Sequence, residues 1–159
     1  MTSLSITDGV CASLLNDIRT WGARGVETGG FLLAHPNKPI SILALAGNGG
    51  VARRRGLFSV SSRALARLFS WAGDRDLHVA AQAHSHGGRA FLSETDLRHG
   101  FSVAGFTTTV IPYFAAPPDD PRRWGWWRYE GEWREVEAPA VISGSANVVR
   151  FDEEGIDER

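Results

Sequence analysis

Cysteine occurs once in the 159 residues, at Cys11. A single cysteine excludes an internal disulfide framework, a four-cysteine zinc site and a CxxC redox pair. Lysine also occurs once, at Lys38, against sixteen arginines. Codon bias from a GC-rich genome is the plainer reading. Avoidance of lysine beside a lysine-modifying machinery is the sharper alternative, and composition does not separate the two. Neither sign of charge is in excess, with 17 bases, 18 acids and a net charge of -1. That argues against a strongly basic nucleic-acid binder. No run approaches the roughly 18 apolar residues of a membrane-spanning helix. The opening MTSLSITDGVCASLL has no basic leader before an apolar run, so no secretory signal is expected. The expectation is a cytoplasmic protein with neither a nucleic-acid nor a membrane partner.

Enough apolar residues are present for a core. They make up 43% of the chain, against 22% charged, which places it among globular proteins of one domain. There is no internal repeat. Val10, Leu14, Leu15, Ile18 and Trp21 predict an amphipathic helix over 8–22, capped by Thr7 or Asp8. Strands are predicted at 31–34 and 40–46, joined by the turn His35-Pro-Asn-Lys-Pro. Residues 47–56 read as a glycine-rich loop and 57–60 as a short strand. A second helix starts at Ser61 or Ser62, with Leu65, Leu68, Phe69 and Ala72 as its stripe, and stops at Gly73-Asp74. Strands follow at 77–84 and 106–114, then a hairpin of 124–130 with 132–137 turning at Glu130-Gly131. Val148 to Phe151 adds an edge strand. The domain is expected over 1–151. Residues 152–159 carry five acids and one base and predict a mobile, solvated acidic tail. Strands alternating with helices give an α/β class, a curved mixed sheet flanked by helices.

The chemistry concentrates in His84-Ser-His-Gly-Gly-Arg-Ala-Phe-Leu-Ser93-Glu-Thr-Asp96. In a strand, residues i and i+2 face the same side. His84 and His86 would thus present two imidazoles to one point. A short loop and a helix starting at Ser93 would return Asp96 towards them. Two histidines and one carboxylate form a usual catalytic zinc set with a fourth position open. Such a site needs a base, and Glu27, just before Gly29-Gly30 and a strand, is the candidate. The glycines permit close backbone approach. Ser93 could hydrogen-bond a developing oxyanion. Taken singly, each residue has a plain structural reading. HxH can be a surface pair, Ser93 a helix cap, Asp96 first-turn charge and Glu27 a loop acid. The ordered set of five favours function.

This set resembles the JAMM metallopeptidases, also called MPN-plus or JAB, whose pattern is an upstream Glu, then H-[ST]-H, a loop and S-x-x-D. The resemblance covers roughly residues 8 to 137. The phrase Glu27-Thr-Gly-Gly-Phe-Leu-Leu and the loop at 47–55 look like the prokaryotic branch, whose members accompany E1-like and E2-like ubiquitin-type conjugation enzymes, some in antiphage defence. The resemblance implies that His84, His86 and Asp96 hold one Zn2+, that Glu27 is the general acid/base and that Ser93 stabilises the transition state. It implies a fold like that of the cytidine deaminases. The implied activity is cleavage after the C-terminal glycine of a ubiquitin-like protein, by precursor processing or deconjugation. Two departures stand out. Gly87 replaces the usual proline, and the loop from His86 to Ser93 is one residue short, which bears on the rim of the site. Zinc nucleoside deaminases need H-x-E with PCxxC, which one cysteine cannot supply. The alternatives are a non-catalytic MPN-type binding scaffold and a processing enzyme for a sulfur-carrier protein.

Among the remaining features, Arg53-Arg54-Arg55 reads as a solvated basic face. In the hairpin, alternation puts Trp124 and Trp126 on one face, expected in the core, and Trp127 on the other, a candidate partner surface. His35 and His78 read as non-catalytic. His99, one helical turn past Asp96, would support the site from behind. Cys11 is expected to be buried.

Overall fold

A computed structural model describes residues 4–158, apart from the His99 side chain. The chain opens with a short strand, β1 (Ser5–Thr7), and enters α1 (Asp8–Gly22) at Thr7. The Thr7 Oγ1 accepts the Val10 amide at 3.3 Å, and Asp8 places negative charge in the first turn. Then come β2 (Gly29–Ala34), β3 (Ile40–Ala46), β4 (Val51–Arg54), β5 (Leu57–Val60) and α2 (Ser62–Asp74). The middle holds β6 (His78–Ser85), α3 (Glu94–His99) and β7 (Thr107–Ile111). A 3-10 turn at Pro121–Arg123 leads to β8 (Gly125–Tyr129), β9 (Trp133–Glu135), β10 (Ala140–Ile142), β11 (Asn147–Asp152) and β12 (Gly155–Asp157).

The main sheet runs β10-β1-β3-β2-β6-β7-β8-β9, with β11 on β3 and β12 on β11. It is mixed. β2 is antiparallel to both neighbours, whereas β6 and β7 are parallel. Helices cover both faces, so β2 and β3 are apolar almost throughout. Alternation divides them. Leu32, Leu43 and Leu45 meet Val10, Leu14 and Ile18 of α1, while Phe31, Leu33, Ile42 and Ala44 meet Leu68 and Ala72 of α2. Trp124 and Trp126 stack at 6.0 Å within the α1-side core, as alternation predicts.

Several boundaries differ from the sequence reading. Residues 51–54 of the expected loop form β4, which pairs with β5 as a hairpin. β1 and β10 are three-residue strands, too short for periodicity to reveal. The inward line of α2 is Ala64, Leu68 and Ala72, spaced by four, while Phe69 is 39% exposed. The strand expected over 106–114 stops at Ile111, before Pro112, which has no amide to donate, and Tyr113, whose φ is +56°. β11 is no edge strand, since it lies between β3 and β12.

The expected acidic tail is also corrected. Residues 152–157 form the turn and return strand of the β11–β12 hairpin. The acids there have specific acceptor roles. Asp152 accepts the Asn48 and Gly49 amides, and Glu153 accepts the Ser61 hydroxyl at 2.7 Å. Ile156 packs on the α2-side core.

Candidate metal centre

The site forms where β6 ends. His84 is paired with Gly29 of β2 and Val110 of β7. His86 continues the ladder by one residue, its amide donating to the Ile111 carbonyl at 2.9 Å. The backbone therefore stays extended, and both imidazoles project to one side. Their Nε2 atoms stand 3.3 Å apart. His86 Nδ1 lies 3.3 Å from the Arg89 carbonyl. As the donor there, it leaves the Nε2 lone pair facing inward. The Phe91 ring packs edge-on against His86 with centroids 4.9 Å apart.

Ser93 and Asp96 form a capping box at the start of α3. The Asp96 amide donates to Ser93 Oγ at 3.1 Å, and the Ser93 amide donates to Asp96 Oδ2 at 2.9 Å. The box that starts the helix also aims the carboxylate. Asp96 Oδ1 is 3.1 Å from His84 Nε2, and Oδ2 is 3.2 Å from His86 Nε2. Ligand atoms around a tetrahedral zinc ion stand roughly 3.3 Å apart at the usual bond lengths. The two imidazoles and the carboxylate match that spacing.

Glu27 approaches from the other side. It lies between α1 and β2 and is buried. Ligand atoms of Glu27, His84 and His86 fall within 4.8 Å of one another. The Glu27 amide donates to the Arg54 carbonyl at 2.8 Å. The next residue is tied to Ser85, between the two histidines, because the Thr28 amide donates to Ser85 Oγ and the Ser85 amide to the Thr28 carbonyl, each at 2.9 Å. Gly29 and Gly30 permit this approach. A Cβ would collide with the Ala83 carbonyl at Gly29 and with the Ala44 carbonyl at Gly30.

Burial pushes the Glu27 carboxyl up to about 7; His86 pulls it down and Asp96 adds to the rise. Burial by itself would raise the Asp96 carboxyl too, but the two imidazoles beside it and the hydrogen bond from the Ser93 amide hold it well below the usual carboxylate range. The site thus pairs one firmly ionised carboxylate with one poised to exchange a proton near neutrality. A narrow cleft beside His84 and Asp96 is lined by Phe58, Gln82, Leu92, Thr95 and Trp133.

All five sequence-predicted residues lie at this one place. Gly87 also has a structural partner. A Cβ there would stand 3.1 Å from the Phe114 ring, which takes space a proline ring would need. The tryptophan surface expected at Trp127 is not exposed, since Trp127 is half-buried; Trp133, also half-buried, lines the cleft. His35 and His78 are exposed, with His78 at the opposite end of β6. The His99 side chain lies outside the described residues. Sequence reasoning missed Ser85, Thr28 and Arg53, whose contacts arise only in the folded chain.

No family model matches the chain. A protein of Sinorhizobium fredii named probable metalloprotease y4jG is 36% identical over 84 residues, which is 52% of this chain and 52% of its own length. The chain therefore matches about half the length of that curated relative. Among solved structures, a JAB1/MPN domain protein from Archaeoglobus fulgidus has a TM-score of 0.54 at 20% identity, covering 89% of this chain and 100% of the other. The chain shares the fold of that JAB1/MPN domain protein. A protein from Desulfitobacterium hafniense has a TM-score of 0.65 at 15% identity, over 89% of this chain and 93% of the other. These structural likenesses speak for the MPN fold, a curled mixed sheet with few helices. The donor set at the end of β6 fits a metal ion. Among the described residues no helix is long and apolar enough to cross a membrane.

Proposed function

We propose that this chain is a cytoplasmic zinc peptidase or isopeptidase of the MPN/JAMM type that cuts after the C-terminal glycine of a ubiquitin-like protein. It would process a precursor or release the modifier from a lysine, alongside E1-like and E2-like enzymes and in a bacterial defence setting. One observation carries the reading: two imidazole Nε2 atoms and a carboxylate face one another at 3.1–3.3 Å, with a buried glutamate beside them. His84, His86 and Asp96 hold the ion in this reading. When bound, zinc supplies Lewis acidity that polarises the scissile carbonyl and acidifies water. Glu27 takes the proton of the attacking water on its carboxylate and delivers it to the leaving amine. Burial raises its carboxyl above the ordinary value, which suits it to hold the proton between the two transfers. The Ser93 hydroxyl accepts the Asp96 amide, so its own hydrogen is free to donate to the oxyanion. The S. fredii relative's name supports the peptidase class.

The test starts with zinc per chain, by elemental analysis of wild type and of His84→Ala/His86→Ala. About one zinc in wild type, lost in the double variant, is expected. Cleavage of ubiquitin-like fusions by wild type but not by Glu27→Gln completes it. Absence of zinc after careful reloading, or turnover retained in Glu27→Gln, would overturn the assignment.

A further inference from the structure

We infer that Arg53 is a positioning residue for Glu27, clamping the β4–β5 hairpin to the main sheet so that the Glu27 carboxyl is held against the two histidines. The inference rests on the proposed role of Glu27. β4 and β5 form a two-stranded sheet of their own. Such a hairpin is marginal alone and needs an anchor. Arg53 supplies one with every face of its guanidinium. Nε donates to Thr28 Oγ1 at 2.9 Å, Nη1 to the Gly47 carbonyl at 2.8 Å and Nη2 to the Ala46 carbonyl at 2.5 Å. The plane lies over the Trp21 ring at 4.0 Å from its centroid. One side chain thus joins the hairpin to α1, to the end of β3 and to the residue after Glu27.

The backbone adds a second tie, since the Arg54 carbonyl accepts the Glu27 amide at 2.8 Å. Residues 53 and 54 therefore hold residues 28 and 27 respectively. Ser85 holds Thr28 from the opposite side. Glu27 is suspended between the hairpin and the strand that carries both histidines. Arg53 hydrogen-bonds Thr28, the residue after Glu27, and none of its hydrogen bonds goes to a candidate ligand side chain. A planar, three-way donor that also stacks on an indole has no lysine equivalent. The Asp17 carboxylate, ion-paired with Arg150, also attracts the Arg53 charge through space, while the direct hydrogen bonds of Arg53 go to the two carbonyls and the hydroxyl.

The test measures amide hydrogen exchange by NMR in the full chain, together with zinc content and kinetics. The variants are Arg53→Ala, Arg53→Lys, Thr28→Val and, as a control, the exposed Arg55→Ala. In Arg53→Ala and Thr28→Val the Glu27 amide should exchange at least ~10-fold faster, while the Asp96 amide stays protected. Zinc per chain should not change. On a cleaved substrate, kcat should fall roughly 10- to 100-fold with KM little moved. Arg53→Lys should not restore it, and Arg55→Ala should match wild type. Wild-type exchange at Glu27 in both Arg53→Ala and Thr28→Val would overturn the inference, whatever the kinetics. If Arg53→Ala does not fold, Thr28→Val decides by the same readout. Faster exchange in a protein whose wild type cuts no fusion would sustain the clamp and count against the peptidase reading instead.

Discussion

The site has two halves that are built differently. The ligand half, His84, His86 and Asp96, spans thirteen residues of chain, and its internal contacts join residues two, three, ten and twelve apart. A strand's two-residue period and one capping box assemble it. The base half, Glu27, depends on contacts with Arg54, on Thr28 with Ser85 across 57 residues, and on Thr28 with Arg53 across 25. Local rules make the first half; long-range packing makes the second. The ligand half should therefore tolerate remote change better than the base half.

That comparison breaks most sharply at the ligands. His84→Ala/His86→Ala is expected to lose zinc and reduce cleavage to background, read by elemental analysis and fusion cleavage. Glu27→Gln should keep zinc yet lower kcat about 10²- to 10⁴-fold, the usual contribution of a general base. If zinc is lost with Glu27, the division into halves fails. Ser93→Ala probes the seam between local structure and chemistry. Loss of the cap should cost about 1 kcal/mol in a denaturant titration. Loss of the donor should lower kcat about 10²-fold or more. A stability loss with unchanged kcat would leave Ser93 as a cap alone.

The smallest effect on activity is expected at Cys11, a buried residue of α1. Burial, with Asp8 nearby, pushes its thiol up to about 11. The unfolded thiol loses its proton near 9.0, the folded one only near 11. The folded state therefore binds more protons between those values, and stability falls as pH rises through that window. Cys11→Ala should flatten this slope without altering kcat. A thiol reagent at pH 8 should modify Cys11 only on unfolding. Rapid modification of the native chain would contradict its burial.

Much of the fold was legible because its elements announce themselves locally. The α1 stripe with Thr7 before it, the apolar runs of β2 and β3, and the turn at Gly131 each follow from short-range pattern. The three-residue strands did not show, since three residues carry no period. The turn and β12 after Asp152 read as solvated because their acids look repulsive in sequence, whereas in the fold Asp152 and Glu153 accept specific amides and a hydroxyl. Arg53 was misread for the same reason. Three consecutive arginines look like a solvated face, but a strand alternates, and the middle of β4 turns Arg53 inward while Arg54 and Arg55 stay exposed.

By itself, the sequence determined which donors are available and that His84, His86 and Asp96 would meet, because extended backbone and a helix cap have geometry set within a few residues. Tertiary structure alone decided how deeply Glu27 is buried, and hence that its proton is exchangeable near neutrality. It also decided what holds Glu27 in place. Burial and clamping depend on segments far apart in the chain, and desolvation is a property of everything packed around a charge.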